Sequence, residues 1–183
     1  MKTRLFLLMT VAVLFLCSVS SGDAITWTTL DYPGALSTGL TGIDGSNIVS
    51  LHGIYNLDTQ TWTTFEYPGA INTYLYDIDG DNIVGMYYEN TSGRHGFVYN
   101  LDTQTGTTLD FPGTSWTISG ISGSNIVGEA NGHGVIYNLD SQTWTTLDYP
   151  EASHTYICDI DGDNLVGGYY ASGAHNFLYD GST

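Results

Sequence analysis

Residues 61–104 read TWTTFEYPGAINTYLYDIDGDNIVGMYYENTSGRHGFVYNLDTQ, and the rest of the chain beyond its first two dozen residues is written in versions of this stretch. A period of about forty residues marks a repeat architecture, which has to be recognised before any single residue is read. Four copies align, at about 26–60, 61–104, 105–142 and 143–183. Each opens on a threonine-rich segment: Trp27-Thr28-Thr29-Leu30, Trp62-Thr63-Thr64-Phe65, Gly106-Thr107-Thr108-Leu109 and Trp144-Thr145-Thr146-Leu147. An acid, an aromatic residue and a proline follow, as in Glu66-Tyr67-Pro68. Further on, Ile43, Ile78, Ile121 and Ile160 precede a tight turn, which leads into Asn47-Ile48-Val49 and its counterparts. Every copy closes on a histidine and a tyrosine, such as His95 and Tyr99.

The copies are rich in Thr, Tyr, Ile, Val and Gly, a composition that favours strands. No stretch carries the 3.6-residue apolar period of a helix. In the second copy the strands are predicted at Trp62–Tyr67, Thr73–Ile78, Ile83–Tyr88 and Gly96–Asn100, separated by Pro-Gly, Asp-Gly and Asp-Thr-Gln turn chemistry. Forty residues and four strands per copy predict an all-β chain, a β-propeller of four four-stranded blades. The threonine segment at 25–32 precedes the first full set, and Phe177–Asp180 precedes a position where another would be due. The expectation is a ring closed by the N-terminal strand, which would add itself to the last blade and remove two exposed edges. An open β-repeat stack, or two chains forming a larger ring, are the alternatives.

Residues 1–24 stand outside the repeat. Lys2 and Arg4 precede an apolar run from Leu5 to Cys17, and small residues follow, the pattern of a secretory signal peptide. The run is too short to span a bilayer. The expectation is a secreted, extracellular or cell-surface domain over 25–183. Loss of the leader would leave 18 acidic residues against Arg94 alone. A surface so acidic repels phosphate backbones, so nucleic acid and, once the leader is gone, membrane are not expected as partners. Cys158 would be left without an internal disulfide partner, as a small half-buried hydrophobe.

His95-Gly96-Phe97, with Asn82-Ile83-Val84-Gly85 upstream, resembles the bacterial extracellular repeat family named for its His-Ala-Phe signature. The resemblance extends over all four copies and is closest in the second, since His133-Gly134-Val135 and His175-Asn176-Phe177 depart from the signature. It implies an exported protein of repeated β structure and transfers no catalytic residue.

Differences between copies point to function, because the repeated positions serve the scaffold. Almost all the length variation falls between the valine and the histidine: three residues from Val49 to His52, eleven from Val84 to His95, six from Val127 to His133 and nine from Val166 to His175. Variable loops gathered on one face of a repeat protein usually mark its binding face. The candidate ligand-binding residues there are Tyr87, Tyr88, Arg94, Tyr169 and Tyr170 on the long loops, with Trp116 and His154 on the blade-crossing loops. Aromatic rings with a few polar groups suit a glycan or a protein partner. The competing reading is that one tyrosine of each pair packs inward.

The opposite face carries Asp77, Asp79 and Asp81, and again Asp159, Asp161 and Asp163. Three carboxylates at alternate positions invite calcium. The EF-hand pattern fails, however, because Asn82 and Asn164 stand at its glycine position and Tyr88 and Tyr170 at its bidentate glutamate. A structural turn without metal or other cofactor is expected. The four histidines are expected to do the same packing or hydrogen-bonding job in each blade. Asn90-Thr91-Ser92 fits a glycosylation sequon. The function these residues suggest is an acidic, exported binding or surface-interaction module, a monomer or small homo-oligomer. The alternative is a secreted carbohydrate-active hydrolase using unpaired carboxylates such as Glu89, Glu129 and Glu151, which would need one acid with a raised pKa facing another across a cleft.

Overall fold

In the computed structural model, which describes residues 26–89, 93–109 and 115–181, every regular element is a β-strand. The expected leader at 1–24 and the sequon at Asn90 lie outside the described residues. The first sheet holds β1 (Leu40–Asp44), β2 (Asn47–Ser50), β3 (Gly53–Asn56) and β4 (Thr61–Thr64). The second holds β5 (Asn72–Asp79), β6 (Asn82–Glu89), β7 (Gly93–Asn100) and β8 (Thr105–Leu109). The third holds β9 (Trp116–Ser122), β10 (Asn125–Ala130), β11 (His133–Asn138) and β12 (Thr143–Thr146). The fourth has three strands, β13 (His154–Asp161), β14 (Asn164–Tyr170) and β15 (Ala174–Tyr179). All pairings are antiparallel between consecutive strands, so the sheets succeed one another as the four blades of a β-propeller.

The sequence repeat and the structural repeat are out of phase by one strand. The threonine-rich segments that open the second, third and fourth copies each form the outermost strand of the preceding blade, with Trp62 opposite Tyr55 and Trp144 opposite Tyr137. The chain then crosses to the next blade, and its Tyr-Pro corner lands on that blade's near side. There Tyr67 stacks on Tyr87 and packs on Phe97.

Between blades the core is built from one repeated set of positions. Val49 and Ile54 of the first blade pack on Leu75, Ile78 and Ile83 of the second. Val84 and Val98 of the second pack on Ile118, Ile121 and Ile126 of the third. Val127 and Ile136 of the third meet Ile157, Ile160 and Leu165 of the fourth. Burying each such side chain contributes about 1.5–3 kcal/mol. Every innermost strand also carries a bulge, at Thr41, Tyr76, Ser119 and Cys158. A bulge re-aims the extra side chain. The Thr41 hydroxyl accordingly donates to the Leu75 carbonyl at 3.2 Å, and that of Ser119 to the Ile157 carbonyl at 2.6 Å, both in the following blade.

The turns between the first and second strands lock the blades together. Gly45, Gly80, Gly123 and Gly162 all have φ between +51° and +57°, which explains the invariant glycine of the turn. The N–H of Gly80 donates to the Asp44 carboxylate at 3.0 Å, that of Gly123 to Asp79 at 2.6 Å, and that of Gly162 to the Ser122 hydroxyl at 3.0 Å. Each turn thus holds the backbone of the next blade's turn.

The expected closing strand is not in place. Residues 26–31 form no strand, and Trp27 is 92% exposed. Among the described residues, the first and last blades share no packing comparable with the three internal interfaces.

Leu75→Ala, at a site with no solvent exposure, is expected to cost about 2–5 kcal/mol in a denaturant titration, because the rigid neighbouring blade cannot collapse into the gap. A loss below 1 kcal/mol would contradict the interface as described.

Candidate functional site

On the variable-loop face, strand alternation sends the two tyrosines of each pair to opposite sides. Tyr87 is 4% exposed and stacks on Tyr67 at 4.3 Å and on His95 at 5.3 Å. Its hydroxyl lies 2.9 Å from that of Thr108. The fourth blade repeats the arrangement, with Tyr169 on Tyr149 at 3.7 Å and on His175 at 5.1 Å. Tyr169 is half-buried. These ring stacks hold the Tyr-Pro corner to the blade, so packing accounts for Tyr87 fully and for Tyr169 in large part.

Trp116 is 8% exposed and does not offer its ring to solvent. The Arg94 guanidinium lies over that ring, 4.6 Å from its centroid, and donates to the Trp116 carbonyl. A cation over an indole is worth about 0.5–2 kcal/mol. Arg94, a candidate ligand-binding residue by sequence, is engaged in tying the second blade to the third.

What the face presents is therefore the other member of each pair. Tyr170 is 47% exposed, and the His154 ring stands edge-on to it at 5.7 Å, with Tyr156 at 6.3 Å from both. His154 Nε2 lies 3.4 Å from the Glu129 carboxylate of the third blade, which also accepts the Gly132 N–H at 3.3 Å. A parallel group straddles the first and second blades. Tyr88 meets Tyr74 edge-on at 6.3 Å, and Tyr74 lies 5.7 Å from His52. Both groups sit at a blade boundary and combine aromatic edges with an imidazole.

Tyr74, Tyr156 and His52 were not singled out by sequence reasoning. The available signal was period two along the strand, since Tyr74 and Tyr156 stand two residues beyond Asn72 and His154, the cross-strand partners of Tyr88 and Tyr170. The histidines do not share one role, contrary to expectation. His95 and His175 lie opposite Tyr87 and Tyr169, His52 falls in a turn, and His133 Nδ1 contacts the Asp148 carboxylate at 2.8 Å.

The turn-face acids are occupied with backbone. Besides Asp79, Asp77 accepts the Ile121 N–H of the next blade at 2.9 Å, and Asp159 accepts the N–H of its own neighbour Ile160 at 2.8 Å. Asp81, Asp161 and Asp163 are exposed. Among the described residues no three His, Cys, Asp or Glu side chains converge as a metal site would require. Burial pushes the Asp77 carboxyl above the ordinary carboxylate range; the N–H groups of Ile121 and Ile78 oppose the rise, and nearby Asp159 and Asp79 add to it.

No family model and no curated protein matches the chain. Solved structures do match in fold. One is the extracellular domain of BT4673 from B. thetaiotaomicron, a protein assigned as a one component system. The likeness has a TM-score of 0.54 at 15% identity and covers 86% of this chain. The chain spans only 23% of the length of that domain. Another is the computationally designed Ika4 protein, with a TM-score of 0.53 at 13% identity, covering 85% of this chain and 99% of the other. Among the described residues, no helix is long and apolar enough to cross a membrane.

Two outcomes follow from the turn-face acids. Because the Asp77 pKa is raised on folding, the native state binds the extra proton. Stability from this group is therefore greatest at low pH and is lost as pH rises from the ordinary carboxylate range through the raised value. Asp77→Asn keeps an oxygen acceptor for Ile121 and removes the loss. Its denaturation midpoint should gain on the parent's from about pH 4 upward, and parallel curves would contradict the assignment. Millimolar Ca²⁺ against excess chelator should leave the melting temperature unchanged, whereas a tight site would raise it by mass action.

Proposed function

We propose that the chain is an exported, acidic binding module that recognises a glycan through the variable-loop face. The observation that carries this reading is the pair of aromatic–imidazole groups at blade boundaries, Glu129–His154–Tyr156–Tyr170 and His52–Tyr74–Tyr88. Aromatic rings stack on the apolar faces of sugar rings, while the carboxylate and imidazole can take up their hydroxyls. Export rests on the leader pattern at 1–24 and on the resemblance to the His-Ala-Phe repeats. The similarity in fold to an extracellular domain of a one component system is compatible with a sensing or binding role. A hydrolase would need two carboxyls facing each other across a cleft. Here Glu129 is engaged by His154, while the raised carboxyl, Asp77, sits between blades among the backbone groups of the turns.

A glycan array probed with the exported protein tests the reading. Tyr170→Ala and Tyr88→Ala should each weaken binding at least tenfold while leaving the melting temperature in place, since binding energy concentrates in a few aromatic anchors. Tyr87→Ala should instead cost stability, about 3–5 kcal/mol by analogy with other buried aromatics. Substitutions in the turn Asp58–Gln60, away from the loops, serve as controls. The reading is lost if no glycan binds, or if both the Tyr170→Ala and the Tyr88→Ala variants bind as the parent does.

A further inference from the structure

The two outer faces of the blade array are halves of the interface that recurs inside it. On the first blade, Leu40 and Ile43 are 49% and 64% exposed, whereas their counterparts Leu75 and Ile78 are 0% and 3% exposed. On the fourth blade, Val166 and Leu178 are 46% and 67% exposed, whereas Val84 and Val98 are 0% and 7% exposed. Inside the chain, these same positions pack valine against isoleucine three times over.

The polar positions are complementary as well. Each internal interface has a turn side chain receiving a glycine N–H from the next blade. Asp161 is the acceptor position of the fourth blade and Gly45 the donor position of the first, and both are exposed. The innermost strands alternate Gly42, Asp77, Gly120, Asp159. Gly120 is tight because a Cβ there would meet the Asp159 carboxylate at 2.7 Å and that of Asp77 at 3.4 Å. Asp159 followed by Gly42 would repeat the Asp77–Gly120 joint, in which Asp77 holds the N–H of Ile121. In place of such a joint, Asp159 turns to its own Ile160.

We propose that a second copy of this chain occupies both faces, so that two chains join head to tail, twice, into one ring of eight blades. The four blades of one chain leave their ends apart. Propeller rings commonly run from four to eight blades, so two copies give the only larger closed ring in that range. A head-to-tail interface that closes in this way ends in a defined assembly, whereas one that does not close runs on into a filament. The segment at 26–31 of each copy then pairs with β15 of the partner's last blade, placing Trp27 opposite Tyr179 as Trp62 lies opposite Tyr55 and Trp144 opposite Tyr137.

Sedimentation of the exported protein tests this. Twice the mass of one chain is expected. Leu178→Asp and Ile43→Asp each place a charge on a side chain that is exposed in the single chain, so the strand content seen by circular dichroism should stay while the mass falls to one chain. Removing residues 25–31 should have the same effect on mass. The proposal is overturned if the parent sediments as one chain, if its mass climbs past two copies with concentration, or if Leu178→Asp keeps the doubled mass.

Discussion

A sheet that is apolar on both faces cannot fold alone, and that constraint organises this molecule. Each blade turns Leu75-type and Ile78-type residues one way and Val84-type residues the other. Neither face is satisfied until a neighbouring sheet covers it. The rest is detail that fixes how neighbours sit: the bulge hydroxyls of Thr41 and Ser119 reach across to the next blade, and the turn acids hold the next turn's backbone. The apolar contacts bring the blades together without direction, and the polar ones set their register.

Much of this was legible in the sequence because a repeat shows the same choice four times. Strand number, turn positions and the outer threonine strand can be read from residues 61–104 and their copies. What sequence could not supply was partner identity. The alternation of aspartates at 77, 79 and 81 looks the same whether the carboxylates converge on an ion or point at backbone N–H groups of another blade; only the fold shows Asp77 and Asp79 accepting the N–H groups of Ile121 and Gly123. Likewise, Tyr87 and Tyr88 are equivalent by composition and opposite by pleat. Period two requires that they part, and it is Tyr87 that enters the core, on the same side of β6 as Ile83. Arg94 is conspicuous as the sole Lys or Arg of residues 25–183, yet its place over Trp116 joins residues from different copies and leaves no local signature.

The comparison of blades reveals a second, longer period. The first and third blades carry small residues at 41–42 and 119–120, where the second and fourth carry Tyr76-Asp77 and Cys158-Asp159. The tyrosine–histidine stacks are found in the second and fourth blades, with Tyr87 and Tyr169 at their centres. The structural unit is thus a pair of dissimilar blades. In each internal joint where it occurs, a glycine makes room for the aspartate of its neighbour. The aromatic–imidazole groups of the loop face also come once per pair, each at the boundary between the two blades of a pair.

Apolar packing between adjacent sheets has a kinetic consequence. In such a one-dimensional array, an end blade is held on one side and an inner blade on two, so stability is graded along the chain. In an array left open, local opening is expected to begin at the end blades and move inward, so that amide protons in β1 and β14 should exchange with solvent sooner than those in β6 and β10. Because the sequence separation across each joint is short, folding can start at any joint and spread without waiting for the ends to meet. An array with no ends has no such gradient: once every blade has two neighbours, the weakest link is gone, and opening one blade means breaking two joints together.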